Sequence, residues 1–173
     1  MKQYFFSFIT LIFLSFLSCS NTTVPVYGAW ETDCTLQSEL GSESVQSEPV
    51  AYLFSKQHIR YTFNEDGTYT QQVVQTVDRV EFVDSTQQEH IAAAKDYFAQ
   101  YFNKTLIFTG SYRQQRARIF FTVDTVQSGD AMPVSYDEFY AQDSSIGAEM
   151  FSVPYELVQD ELILNGLAYH VVQ

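Results

Sequence analysis

Cys19 and Cys34 are the two thiols of the chain and His58, His90 and His170 its three imidazoles, all widely separated. Their spacing matches no C-x-x-C pair, no H-E-x-x-H helix and no short-range zinc ligand set. A three-histidine metal site would have to be assembled wholly by folding, and none is assigned. Serine-nucleophile elbows and phosphate-cradling glycine loops are absent too. Glu31 and Asp33 stand two residues apart, so on a strand both carboxylates share one face, as a two-carboxylate acid–base mechanism would require. The chain carries 21 acidic residues, however, and the solvated side of a strand accounts for such a pair without chemistry. Asn64-Glu65-Asp66-Gly67 is acidic but lacks the ligand spacing of a calcium loop, and its Asp-Gly step is a strong hairpin-turn signal. Arg113, Arg116 and Arg118 gather at one predicted hairpin tip, where planar guanidinium forks could hold a carboxylate or phosphate. A charged tip is also the ordinary protection of an exposed strand end. No catalytic residue, metal ligand or cofactor follows from these patterns, and the expectation is a non-enzymatic protein.

The elements that would have to position any site are mostly strands. A chain of 173 residues is sized for one domain. Its aromatic fraction of 16%, carried mainly by 15 Phe and 12 Tyr, favours pleated, half-buried surfaces over helices. The formal charge of −12 repels phosphate backbones, so nucleic acid is excluded as a partner.

Residues 1–18 are not part of that fold. Lys2 precedes an uncharged run from Tyr4 to Leu17, shorter than the roughly 20 residues of a membrane-spanning helix. It has the form of a removable signal peptide. Ser15-Phe16-Leu17-Ser18-Cys19 resembles the lipobox of bacterial lipoproteins, with Phe16 where Leu is commonest. That resemblance implies that Cys19 becomes the lipidated first residue, with a membrane partner reached through the anchor. Ser20 after it resembles the sorting pattern for the outer membrane. A plain secretory cut near Ser18 or Ser20 is the alternative, and either route exports the protein. Residues 19–26 then form a polar tether. With Cys19 acylated, Cys34 has no partner within the chain, leaving burial, pairing between chains or reactivity. Its shared face with Trp30 favours burial as a small apolar group.

From Tyr27 to Leu36, a period of two puts Trp30, Thr32, Cys34 and Leu36 on one side and Glu31, Asp33 and Thr35 on the other. Residues 37–49 are polar and acidic and suggest a long solvated loop. Val50 to Phe63 is the next strand, with Ile59, Tyr61 and Phe63 on one face. Thr68 to Val83 follows, and its apolar residues change face around Val77–Val80, which predicts a bulge. Ser85 to Asn103 has helical spacing, a stripe of Ile91, Ala94, Phe98, Tyr101 and Phe102, and a capping box at Thr86/Glu89 or Ser85/Gln88. A hairpin from Lys104 to Val126 is expected to turn near residues 113–115. Ser135 and Glu138 mark a short capped helical turn. Strands over 148–157, 161–164 and 167–172 close the chain, the last two joined at Asn165-Gly166.

Gly28-Ala29-Trp30 resembles the G-x-W of the first strand of lipocalins and related calycin barrels, although no Thr-Asp-x-x-Tyr second motif is present and the helix is mid-chain. The resemblance implies a mainly β fold, a lipocalin-like antiparallel up-and-down β-barrel over residues 27–173, with Trp30 as the plug at one end. Gly28-Ala29-Trp30 with Cys34, and Phe63 to Tyr69, is also similar to the pattern of small bacterial envelope lipoproteins. The expected function is that of a periplasm-facing, outer-membrane-anchored lipoprotein whose barrel holds a small hydrophobic ligand. The alternative is a protein-interaction module, an inhibitor or envelope assembly factor, acting through its acidic surface, residues 37–49 or the aromatic helix. Inward aromatics suit a ligand pocket and a side-chain-filled barrel equally, and no ligand-binding residue is assigned.

Overall fold

The computed structural model describes residues 24–41, 49–142 and 152–172. Alternating apolar and polar residues build the first five strands: β1 Gly28–Leu40, β2 Ala51–Phe63, β3 Thr68–Phe82, β4 Lys104–Gln115 and β5 Arg118–Ser128. Each pairs antiparallel with the next. The two-residue β6 Val134–Ser135 adds to the far end of β5. β7 Ser152–Val158 pairs with the start of β5, β8 Glu161–Leu164 with β7, and β9 Leu167–Val171 with β8. β9 then pairs with β1 at Trp30 and Glu31, closing the sheet on itself. With β6 as an appendage, the described residues form an eight-stranded, antiparallel, up-and-down barrel with a mid-chain helix. Closure removes the sheet edges that a curved open sheet would expose.

The first strand is longer than its sequence suggests. Gln37 to Leu40, expected in a loop, continue β1 because each meets a partner on β2, from Phe54 to Ala51. Their side chains remain largely exposed, so polar residues are tolerated there. Residues 42–48 of the expected loop lie outside the described residues. Leu36, assigned to the core face, is 45% exposed, because β9 has ended well before it. The bulge expected near Val77–Val80 is present: Ser55 pairs with Val77 and Phe54 with Arg79, leaving Asp78 over. That extra residue returns Val80 to the inner face, where it is buried together with Val77.

The helix also begins later than expected. Residues Ser85–His90 form a 3-10 turn, and the α-helix α1 spans Ile91–Phe102. Thr86 does not cap it. Instead the Asp84 carboxylate accepts from the Thr86 amide at 2.9 Å and its hydroxyl at 2.8 Å, which satisfies the tighter turn first. Asn103 ends α1 as expected and accepts from the Val77 amide of β3 at 2.7 Å. Ala94, Phe98, Ala99 and Phe102 face the sheet, whereas Tyr101, placed in the stripe, is 64% exposed. The β4–β5 turn falls at Arg116–Ala117, with Arg116 at φ 56°, two residues beyond its expected place. A second helix, α2, covers Tyr136–Gln142, and the Ser135 hydroxyl caps it by accepting from the Glu138 amide at 3.3 Å.

One end of the barrel is closed by packing. Trp30, Tyr61, Phe63, Tyr69, Ile119, Phe121, Leu162 and Leu164 share one buried cluster, with the Tyr61 and Phe63 rings stacked at 5.5 Å. Val26, counted with the tether from sequence, is fully buried in this cluster. Its amide donates to Gln114 at 3.3 Å, and the Gln114 amide donates back to the Val24 carbonyl at 3.0 Å. Residues 24–27 therefore span the barrel end from β1 to β4. Gly28, at φ 108°, lets the chain turn from this crossing into β1, a conformation that side-chain-bearing residues avoid.

Candidate functional site

The register of β1–β4 places a row of polar side chains on the inner face. Cys34 is opposite Gln57, Gln57 opposite Gln75, and Gln75 opposite Lys104. All four are half-buried. The Gln57 amide donates to Gln75 Oε1 at 2.7 Å, and the Cys34 thiol makes a long sulfur contact to Gln57 Oε1 at 3.9 Å. This belt separates two apolar regions. On one side lies the Trp30 cluster; on the other Ala51, Leu53, Val77 and Val80 lie beneath α1. Gln75 also walls an open cleft of about 380 Å³, together with Asn103, Lys104 and Ser128.

Three tyrosines belong to the Trp30 cluster beside the belt, and Tyr169 comes near Cys34. Tyr61, Tyr69 and Tyr169 are only 9%, 3% and 4% exposed, and the Tyr61 and Tyr169 rings meet edge to face at 5.6 Å. None of their hydroxyls makes a hydrogen bond to a protein group, yet among the described residues no fully buried side-chain oxygen or nitrogen lacks a partner. Each hydroxyl therefore reaches space that water can enter. Burial, reinforced by the neighbouring Tyr169 and Tyr69, drives the Tyr61 phenol far above its ordinary value. Burial and then Cys34 push Tyr169 up to about 12, while burial first, then Asp124 and Tyr136, raises Tyr69. Desolvation disfavours the phenolate, so all three stay O–H donors at neutral pH.

Cys34 packs beside this cluster and is half-buried. Burial first, then the adjacent Asp33, raises its thiol, the reverse of what activates a nucleophilic cysteine. In a Cys19→Ser chain, where Cys34 is the single thiol, a disulfide reagent at pH 7 is expected to label the folded protein more slowly than the unfolded one. The folded rate should climb only above the ordinary thiol value of about 8.5. Equal rates in both states would contradict the raised thiol.

The other residues singled out in the sequence do not converge. Trp30 is buried, and its indole donates to the Val26 carbonyl at 3.0 Å. Glu31 and Asp33 sit on the outer face, where His58 lies 3.8 Å from one and 3.1 Å from the other. His170 approaches Glu161 at 3.5 Å and His90 approaches Glu89 at 3.6 Å. Among the described residues no group of three or more His, Cys, Asp or Glu side chains is arranged to hold a metal ion. The Asp66 carboxylate is occupied by the Thr68 amide and hydroxyl, at 2.9 and 2.6 Å, as in a plain turn. Arg118 is pinned to Ser152 of β7 at 2.5 Å, and Arg113 lies over the Phe120 ring at 4.4 Å, so these two guanidinium groups are engaged separately. Cys19 lies outside the described residues.

Sequence reading missed the belt and the tyrosine hydroxyls as a unit. The usable signal was parity: Gln57 lies two residues from Ile59, and Gln75 two from Val73, so both share a face with core residues. Comparison with protein-family models, curated proteins and solved structures gave no match.

Proposed function

We propose that this protein is a lipid-anchored, non-enzymatic envelope lipoprotein whose lipocalin-like barrel holds a small ligand with a largely apolar body. The observation that carries the reading is that three buried tyrosines turn hydroxyls without protein hydrogen-bond partners toward space that water can enter, inside a closed barrel otherwise lined by Trp30, Ile59, Val73 and Phe121. A side-chain-filled barrel would bury such hydroxyls against partners, because an unsatisfied polar group in an apolar interior costs about 1–3 kcal/mol. Anchorage rests on the lipobox-like Ser15 to Cys19 segment. One experiment addresses both parts: native and intact-mass spectrometry of the protein purified from its host. The chain is expected to begin at Cys19, carry acyl groups, and retain a small-molecule adduct that denaturation removes. An unacylated chain would remove the anchor, and a chain free of any adduct would count against the ligand.

A second reading, an interaction module, is favoured by one feature. Tyr97 and Tyr101 are 55% and 64% exposed on α1, with ring centroids 5.1 Å apart. In the same spectra a protein partner in place of the small molecule would favour it.

A further inference from the structure

We propose that the interior selects an uncharged ligand through a carbonyl-type hydrogen-bond acceptor carried on an apolar body. This rests on the ligand-holding reading above and assigns the ligand's polar group. Of the belt's own amide acceptors, Gln75 Oε1 takes the Gln57 amide at 2.7 Å, and Gln57 Oε1 faces the Cys34 thiol across the long 3.9 Å contact. What remains are protons with no acceptor, on the Gln75 amide nitrogen and on the hydroxyls of Tyr61, Tyr69 and Tyr169; the hydroxyl oxygens can also accept, but these three side chains, more than nine-tenths buried, have no protein hydrogen-bond partner to donate to. A donor-rich wall in a low-dielectric setting is matched by an acceptor, and leaving such donors unpaired on binding is unfavourable. Charge argues against an anion as that acceptor. The chain is net negative at −12, and Lys104, the single cation of the row, is already engaged in another interaction. A ketone, ester or amide fits; a bare hydrocarbon leaves the hydroxyls unanswered, and a carboxylate meets a negative field with no cation offered.

The test compares two dyes in the full chain carrying Cys19→Ser, which has no acyl chains for a dye to enter. Prodan is an uncharged naphthyl ketone, and N,N-dimethyl-2-naphthylamine is its counterpart lacking the acyl group. Prodan is expected to bind about tenfold more tightly, the equivalent of one net hydrogen bond, with the red-shifted emission of a hydrogen-bonded carbonyl. In a Tyr61→Phe, Tyr169→Phe double variant, which keeps both rings and leaves the Tyr69 hydroxyl and the Gln75 amide, the ratio should fall by about threefold or more while the naphthylamine binds as before. Equal affinities in the parent chain would overturn the proposal without needing the variant, as would a ratio unmoved by removing both hydroxyls. Binding of neither dye would instead count against the ligand-holding barrel itself, so the two failures are distinguishable.

Discussion

Replacing Gly110 by alanine is expected to lower the stability of the protein by about 3 kcal/mol, at the upper end of what overpacking does to a well-filled interior. Gly110 sits on the inner face of β4 where the β4–β5 ladder shifts register, with Asp124 as the residue left over. The shift presses the β5 backbone onto β4. A β-carbon at Gly110 would overlap the Thr122 carbonyl oxygen and stand only 3.0 Å from the Thr122 carbonyl carbon and 3.1 Å from the Asp124 nitrogen. These are backbone atoms held in a closed ladder, so they cannot rotate away as a side chain would. Relief would require β4 and β5 to separate, next to the pair formed by Tyr69 and Phe121, whose rings lie 4.8 Å apart. Gly129 offers the control. It has φ 57°, and a β-carbon added there would meet nothing within 4 Å. Gly129→Ala should therefore lower stability by only about 1 kcal/mol, the cost of the left-handed backbone alone. Urea unfolding followed by the fluorescence of the single tryptophan measures both variants. A Gly110→Ala chain no less stable than Gly129→Ala would show that the strands do not press together there.

The same bulge illustrates which parts of the fold the sequence could disclose. Local signals were legible. Asp66-Gly67 and Asn165-Gly166 turn as their φ preferences require, with Gly67 at 83°, Asn165 at 50° and Gly166 at 82°. The change of face between Val77 and Val80 marked the first bulge because apolar parity is recorded along a single strand. Non-local decisions were not legible. Gln37 to Leu40 are strand only because β2 lies alongside, and no property of those residues announces it. The true start of α1 was hidden because Asp84, outside the expected capping box, takes the Thr86 amide.

The candidate site was harder still, for a related reason. An inward glutamine has the same composition as an outward one, so Gln57 and Gln75 interrupt the apolar alternation, and the core face reads as ending at Ile59 and Val73. Their hydrogen bond crosses from β2 to β3, which makes it visible only after the register is known. The tyrosines were legible as core residues, since their rings bury on the expected face. That their hydroxyls would have no protein partner depends on what every other strand brings inward. The belt also explains why Thr32 and Ser55 are buried at 8% and 4% exposure: they flank it on the inner face, where polar side chains have polar company.

Trp30→Ala is expected to be the most disruptive single truncation, lowering stability by about 4 kcal/mol. The indole is 5% exposed, so its removal leaves a large void among Val26, Tyr61 and Ile119, which share its cluster. Neighbouring strands are tied into a closed ladder and can collapse into that void only in part, so both the transfer and the cavity contributions apply. A second loss is specific to tryptophan. The indole N–H donates to the Val26 carbonyl at 3.0 Å, and that bond holds residues 24–27 across the barrel end. Trp30→Phe separates the two contributions, because it keeps most of the apolar volume and removes the donor. Its effect should be smaller, with about 1 kcal/mol of the loss coming from the missing bond. The Phe variant should also loosen the crossing segment selectively: hydrogen exchange at the Val26 amide, which donates to Gln114, is expected to quicken while the β2–β3 ladder stays protected. Both variants lack the tryptophan reporter, so urea unfolding is followed by far-ultraviolet circular dichroism. If Trp30→Ala unfolds at the parent's midpoint, Trp30 does not close the barrel, and the Gly28-Ala29-Trp30 start loses its architectural meaning.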